Sequence, residues 1–260
     1  MIKLYHGDCR KFLFNEIEEN SIDLTVTSPP YDNLREYNNS STWGWSEFCG
    51  VASGLWRVTK SGGVVVWVVG DATVKGSETG SSFEQALAFK KIGFNLHDTM
   101  VYQKDGCPFP SQNRYYANFE YMMVFSKGSP SVFKPITDRI NKSFGRKITG
   151  TNRQRDGSTK KMKNHGQEIK EFGVRFNCWL ISDGKRTKDH PAPFPEKLAN
   201  DHIISWSNEG DTILDPFMGS GTTGKMALLN NRKFIGCEID SEYFQIAKDR
   251  IEAVQVEKTD

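Results

Sequence analysis

Apolar residues come along this chain in short runs separated by stretches of helical spacing, the order that builds alternating strands and helices. Ile2-Lys3-Leu4-Tyr5 alternates like a strand, His6-Gly7-Asp8-Cys9 reads as a turn, and Phe12 to Glu19 fits a short helix. Ile22 to Thr27 is a strand rich in β-branched residues that must stop at Ser28-Pro29-Pro30-Tyr31, because each proline locks φ and lacks an N–H. Trp45, Phe48, Val51, Leu55 and Val58 share one helical face, and Lys60-Ser61-Gly62-Gly63 closes that helix before Val64 to Val69. The valine-rich run does not alternate, so it predicts a strand buried on both faces, as at the centre of a parallel sheet.

Further along, Phe83 to Lys91 predicts a helix, and Phe94 to Gln103 and Phe119 to Phe125 predict two strands at a sheet edge. Trp179 to Ser182 is strand-like, and Glu196 to Ser205 reads as a helix entered through His190-Pro191-Ala192-Pro193-Phe194-Pro195. Thr212 to Leu214, Gly224 to Asn230 and Lys233 to Glu238 form a second β-α-β pattern, and Tyr243 to Val254 predicts a closing amphipathic helix. Ligands of open parallel sheets sit outside the carboxyl ends of the strands. That rule directs attention to Asp8, Ser28, Asp71 and Glu238, although Asp71 also suits a loop cap.

At 260 residues the chain is long enough for one large α/β domain, with or without an insertion. The longest apolar run is far short of a membrane span, and the first residues lack a signal-peptide layout, so a cytoplasmic protein is expected. Five scattered cysteines with no C-x-x-C pair argue against both a disulfide framework and a zinc site, and no metal is expected. The net charge of +2 hides an asymmetry. Residues 134–188 hold fifteen Lys/Arg against five Asp/Glu, and the remainder nineteen against twenty-seven. An acidic body carrying a basic patch suggests a partner with a phosphate backbone. No sustained period runs from Lys134 to about Glu171, which predicts an insertion with some disorder; a solvated stretch without a partner is the plainer alternative.

The proline-capped strand end is the first candidate for chemistry. The Ser28 hydroxyl and the Ser28 and Pro29 carbonyls cannot join a ladder there and can accept hydrogen bonds, with Tyr31 offering a flat face beside them. Such a nook suits a planar NH2 on an aromatic ring, although a proline-rich turn is common punctuation. The polar, aromatic-dotted stretch from Asp32 to Thr42 reads as a loop over this site, from which Arg35 and Tyr37 can touch a substrate. Cys107 to Tyr116 has the composition of a loop that stacks bases.

Gly219 to Met226 nearly spells a phosphate-binding G-x-x-x-x-G-K-[ST] loop, but Met226 lacks the metal-binding hydroxyl and Asp215 would repel phosphates. The other reading lets the backbone at Gly219 and Gly221 approach an adenosine cofactor while Glu238, about twenty residues on, accepts from ribose hydroxyls. An NAD enzyme would share that fingerprint, yet has no use for a proline-fixed cage of acceptors.

With Ser28-Pro29-Pro30-Tyr31 first, a basic middle segment, and Asp215-Pro216-Phe217-Met218-Gly219-Ser220-Gly221-Thr222-Thr223 near the end, the chain resembles the β-class amino-methyltransferases of DNA. The resemblance implies a Rossmann-like, mostly parallel seven-stranded α/β sheet with helices on both faces and circularly permuted motif order. Residues 1–130 would be its catalytic half, 131–188 a basic target-recognition insertion and 189–260 its cofactor-binding half. It implies S-adenosyl-L-methionine as cofactor, with Asp215, Phe217, Gly219, Ser220, Gly221 and Thr222 as its loop and Glu238 on the ribose. Asp8 would lie near the adenine, and Phe194 and Pro195 would flank the methionine part. Ser28, Pro29, Pro30 and Tyr31 would be catalytic. Phe119-Glu120-Tyr121 matches a strand motif in which Glu120 is structural. Lys160, Lys161 and Lys163, with Arg35 and Tyr37, would meet double-stranded DNA. In that family a serine at position 28 goes with cytosine N4 and an aspartate with adenine N6, so N4 of a flipped cytosine is the expected target and adenine N6 the alternative. A restriction–modification setting is expected; a cognate restriction endonuclease and the choice of monomer or dimer stay open. An RNA or protein-amide methyltransferase, or a binding module without turnover, would share parts of this pattern.

Overall fold

The computed structural model describes residues 1–30, 43–106, 113–182 and 194–257. Tyr31, Arg35 and Tyr37, and the base-stacking stretch Cys107 to Gln112, lie outside them. In chain order the elements are β1 (Ile2–His6), α1 (Cys9–Asn15), β2 (Ile22–Thr27), α2 (Trp45–Val58), β3 (Thr59–Val69), β4 (Thr73–Val74), β5 (Ser77–Glu78), α3 (Ser81–Ile92), β6 (Asn95–Gln103) and β7 (Phe119–Ser126). Then come β8 (Arg139–Ile140), β9 (Thr151–Arg153), β10 (Thr159–Lys161), β11 (Phe172–Gly173), β12 (Cys178–Leu180), α4 (Glu196–Trp206), β13 (Thr212–Asp215), α5 (Thr222–Leu229), β14 (Lys233–Glu238) and α6 (Ser241–Glu257).

By its internal contacts the chain separates into two units, one made of Met1–Lys134 with Asn177–Asp260 and one of Pro135–Phe176. The first holds an eight-stranded sheet in the order β1-β14-β13-β2-β3-β7-β6-β12. Only β7 runs antiparallel to its neighbours. All eight strands expected from the residues are present, one more than the seven the resemblance implied; β12, at the strand-like Trp179 stretch, pairs parallel with β6 at the edge, so β6 and β7 are inner strands rather than edge ones.

Burial explains why β3 sits centrally. Val64 to Val69 are all at most 1% exposed, and at about 25 cal/mol per Å2 such a run stabilises only when both faces are covered. One face supplies Val65, Trp67 and Val69 to a cluster with Phe12 and Leu13 of α1, Phe48, Val51 and Leu55 of α2, and Phe89 of α3. On the other, His202 of α4 lies 3.2 Å from Met122 Sδ of β7, and α4 packs on α5 and α5 on α6.

Several boundaries differ from the periodicity for local reasons. Helix α1 begins at Cys9 because Asp8 caps it, its Oδ1 accepting from Arg10 N at 2.9 Å; such a cap contributes about 1 kcal/mol. Helix α3 begins at Ser81 because Asp71 accepts from Ser82 N at 2.9 Å and Ser82 Oγ at 2.6 Å, which makes Asp71 a cap. The β4–β5 hairpin before it had no hydrophobic alternation to announce it.

The second unit is ordered where disorder was expected. Strands β8 and β11 pair, β9 and β10 pair, and bonds such as Gly145 N to Ile169 O (3.0 Å) and Ile148 N to Gln167 O (2.9 Å) continue the ribbon between them. Backbone hydrogen bonds, which leave no hydropathy signature, hold it. At its tip Asp156 accepts from Ser158 N and Oγ, and these bonds hold its carboxyl below the ordinary aspartate value.

Candidate active site

Strands β2 and β13 are parallel neighbours in register Ile213↔Leu24 and Leu214↔Thr25, so both chains leave the sheet at one edge. There Thr27 Oγ1 donates to Asp215 Oδ1 at 2.6 Å, and Thr223 Oγ1 donates to Val26 O at 3.3 Å. Two segments almost 190 residues apart are thereby stitched together: Ser28-Pro29-Pro30 leaves from Thr27, and the glycine loop leaves from Asp215. Thr27 and Thr223 were not among the expected site residues. Their only sequence signal is a hydroxyl placed where a strand tip meets a helix start.

The loop's own geometry calls for glycine. Gly219 (φ 49°) and Gly221 (φ 80°) occupy the left-handed region. A Cβ on Gly221 would also stand 3.0 Å from the Ala247 backbone of α6, so this glycine serves helix packing as well as any ligand. Ser220 is buried, and both its oxygens accept from Arg250 Nη1, the carbonyl at 2.7 Å and Oγ at 2.9 Å. Arg250 also meets Glu196, which pairs with Lys225, so the starts of α4 and α5 and the body of α6 are tied under the loop. Thr222 is buried at the first position of α5. Phe217 sets its ring edge-on to Trp43 at 5.2 Å and to Trp67 at 6.2 Å.

Three carboxylates line this edge on β1, β14 and β13, in different electrostatic states. Asp8 follows β1 and is engaged by Arg10 through Nη2 at 2.7 Å, while Arg10 Nη1 reaches Glu47 at 3.0 Å. Its hydrogen bonds from Arg10 hold its carboxyl below the usual value. Asp8 is therefore first of all a cap and an ion-pair partner. Asp215 is 4% exposed, and burial pushes it up to about 6 although Thr27 Oγ1 and Phe217 N donate to it. Glu238 is raised by burial as well; its Oε2 accepts from Gly219 N at 2.8 Å and its Oε1 from Ile239 N and Asp240 N. Among the described residues no lysine or arginine pairs with Asp215 or Glu238. The buried thiols of Cys9 and Cys237 are both raised, first by burial, Cys9 to about 12, so neither is a thiolate at neutral pH.

Pro195 caps α4, its carbonyl accepting from Leu198 N and Ala199 N, with Phe194 partly buried beside it. Glu120 pairs with Lys104 at 2.6 Å. In the Pro135–Phe176 unit, Lys160, Lys161 and Lys163 are all exposed. Among the described residues no cluster of His, Cys, Asp and Glu could hold a metal ion, and no helix is long and apolar enough to cross a membrane.

An open sheet whose central strand tips join a proline-capped turn to a glycine loop has the architecture of Rossmann-like DNA methyltransferases. The chain belongs to the DNA methylase family acting on N6 or N4 amino groups, whose model matches residues 22–249. It is 61% identical over 241 residues to the orphan methyltransferase M.BamHII of Bacillus amyloliquefaciens, covering 89% of each chain. It is 28% identical to the DNA adenine methyltransferase YhdJ of Escherichia coli, covering 96% of this chain and 82% of that one. Its fold is similar to that of the PvuII DNA methyltransferase, described as cytosine-N4-specific, with a TM-score of 0.68 at 23% identity over 98% and 90% of the two chains.

Proposed function

We propose that this protein transfers a methyl group from S-adenosyl-L-methionine to the N4 amino group of a cytosine flipped out of duplex DNA, in a restriction–modification setting. The observation that carries the reading is the Thr27–Asp215 hydrogen bond, which holds acceptors for an amino group beside a loop fit for an adenosyl cofactor. The cofactor fits the electrostatics of that loop. Asp215 is buried and Glu238 part-buried, and desolvation raises both carboxylates with no cation beside them among the described residues. They suit a ligand bearing ammonium and sulfonium charges and oppose one bearing phosphates. Glu238 still has a lone pair for a ribose hydroxyl after its three backbone bonds.

When bound, the cofactor supplies an electrophilic methyl group. The chain's own part is to present the nucleophile. An exocyclic amino group is weakly nucleophilic because its lone pair is delocalised into the ring. Acceptance of its hydrogens by Ser28 Oγ and Pro29 O favours a pyramidal nitrogen with the lone pair directed outward. Pro30 keeps the turn rigid, and Tyr31 stacks on the base, whose extrusion costs a few kcal/mol. The proton leaves after transfer, when the nitrogen is acidic, so no strong base is needed. The exposed lysines of the Pro135–Phe176 unit contribute the charge that neutralises DNA phosphates.

Adenine N6 is the second reading, because the family includes an adenine methyltransferase among this chain's relatives. Exposing unmethylated DNA to the enzyme with labelled cofactor, digesting it and weighing the nucleosides tests both. N4-methyldeoxycytidine is the expected product. N6-methyldeoxyadenosine would overturn the base assignment alone, and a product on RNA or protein only would overturn the whole reading.

A further inference from the structure

Between the first turns of α2 and α3 lies a cavity of ≈ 260 Å3. Trp43, Trp45 and Phe48 form its aromatic side, and Thr79, Ser81, Glu84 and Gln85 its polar side. Gln85 is the unusual member. It is 4% exposed, and its Oε1 accepts from Trp67 Nε1 at 2.8 Å. Indole Nε1 can only donate, so this bond fixes which way the carboxamide faces and leaves the NH2 to be satisfied elsewhere. Among the described residues no acceptor bonds to that Nε2. Gln85 lines the cavity, so an acceptor on a ligand seated there can meet this NH2.

The cavity's position narrows the ligand. Trp67, which orients Gln85, is the register partner of Thr27, the residue before Ser28. Trp43 on the aromatic side rests against Phe217 of the glycine loop. The cavity therefore lies on the β3 side of β2, whereas Glu238 and Asp8 lie on the far side of β13. Trp45 is 53% exposed and tilted on Phe48 at 5.1 Å, an indole still open to stacking. Glu84 disfavours a phosphate and can accept from an exocyclic amino group.

We infer that this cavity receives a neutral nucleobase of the DNA substrate, stacked on its tryptophan side with a ring nitrogen or carbonyl accepting from Gln85 Nε2. The inference rests on the DNA-methyltransferase reading and adds to it a second place of base contact, with Gln85 and Trp45 as substrate-binding residues. A cofactor adenine has the same chemistry, so the test must separate the two sources.

The test uses the full-length enzyme and its Trp45→Ala and Gln85→Met variants. Cofactor affinity is measured by calorimetry and the KM for duplex DNA by methyl transfer. In parallel, duplex DNA carrying 5-iododeoxycytidine in place of deoxycytidine is photocrosslinked to the enzyme and the attached peptide mapped by mass. Trp45→Ala should raise the KM for DNA roughly tenfold, the scale of losing a stacked base, with cofactor affinity unchanged, and crosslinks should fall at Trp43 or Trp45. Trp45 is exposed enough that its truncation leaves the fold intact, whereas Gln85→Met orphans Trp67 and is read only if the variant melts as a folded protein. An unchanged KM for DNA, or crosslinks confined to other peptides, overturns the inference. A tenfold loss of cofactor affinity at an unchanged KM for DNA assigns the cavity to the cofactor and overturns it too. If the unmodified enzyme binds no cofactor at all, it is the methyltransferase reading that falls.

Discussion

The sheet edge at β13 and β14 and the Pro135–Phe176 unit use charge in opposite ways. At the edge, Asp215 is buried and Glu238 part-buried; both are raised by desolvation and held by short bonds from Thr27 and Gly219 N. In the ribbon unit, eleven Lys/Arg stand against four Asp/Glu, and Lys160, Lys161 and Lys163 are exposed on or just after β10. A buried, oriented carboxylate selects one small cation in one pose. Exposed charge on long side chains attracts a polyanion without fixing its register, and salt screens it. Under the proposed function the difference separates chemistry from affinity: geometry would govern the edge and ionic strength the ribbon.

The largest effect expected on the edge side is at Ser28. Ser28→Ala should lower kcat at least roughly a hundredfold, the scale for losing one preorganised hydrogen-bond partner of a transition state, with cofactor and DNA affinities kept. Full turnover in single-turnover assays would remove Ser28 from the mechanism. Next comes Gly221→Val, which forces a side chain onto φ 80° and against Ala247. Strain of this kind costs on the order of 1–3 kcal/mol, so the variant should unfold at distinctly lower denaturant; an unshifted midpoint would contradict the packing seen at α6.

Asp215 sharpens the comparison through pH. Its folded value is raised to about 6 from an ordinary 3.8, so the free protein keeps this group's stabilisation below about 3.8 and loses it as pH rises through about 6. A cationic cofactor should show the reverse, binding more weakly as pH falls through about 6 because the carboxylate is then protonated. Calorimetric titrations across that range should show the slope in the natural protein and lose it in Asp215→Asn. The smallest effect concerns the ribbon: changing Lys160, Lys161 and Lys163 together to Ala should leave kcat in place and make log K against log salt shallower by about three units. A parallel salt plot would mean these lysines miss the phosphates.

Much of the fold was legible because hydrophobic periodicity is a local signal. Trp45–Val58 matches α2 residue for residue, and the unbroken apolar run of β3 marked the sheet centre. The β4–β5 hairpin and the ordered ribbon were not legible, since backbone hydrogen bonds and turn residues hold them rather than a buried stripe. The starts of α1 and α3 were set by Asp8 and Asp71, whose capping roles depend on where the preceding strand delivers them.

By itself the sequence determined the parts of this protein: two β-α-β patterns, a strand end halted by two prolines, a loop that glycine alone can make, and a basic middle segment. These follow from constraints acting over a few residues. Tertiary structure decided which parts meet. Only the parallel pairing of β2 with β13 brings Thr27 to Asp215, only α6 returning over the loop brings Arg250 to Ser220, and only α3 packing on the sheet brings Gln85 to Trp67. Hydrogen bonds between residues far apart in the chain leave no periodic trace, because each partner answers to a different local rule until the sheet closes.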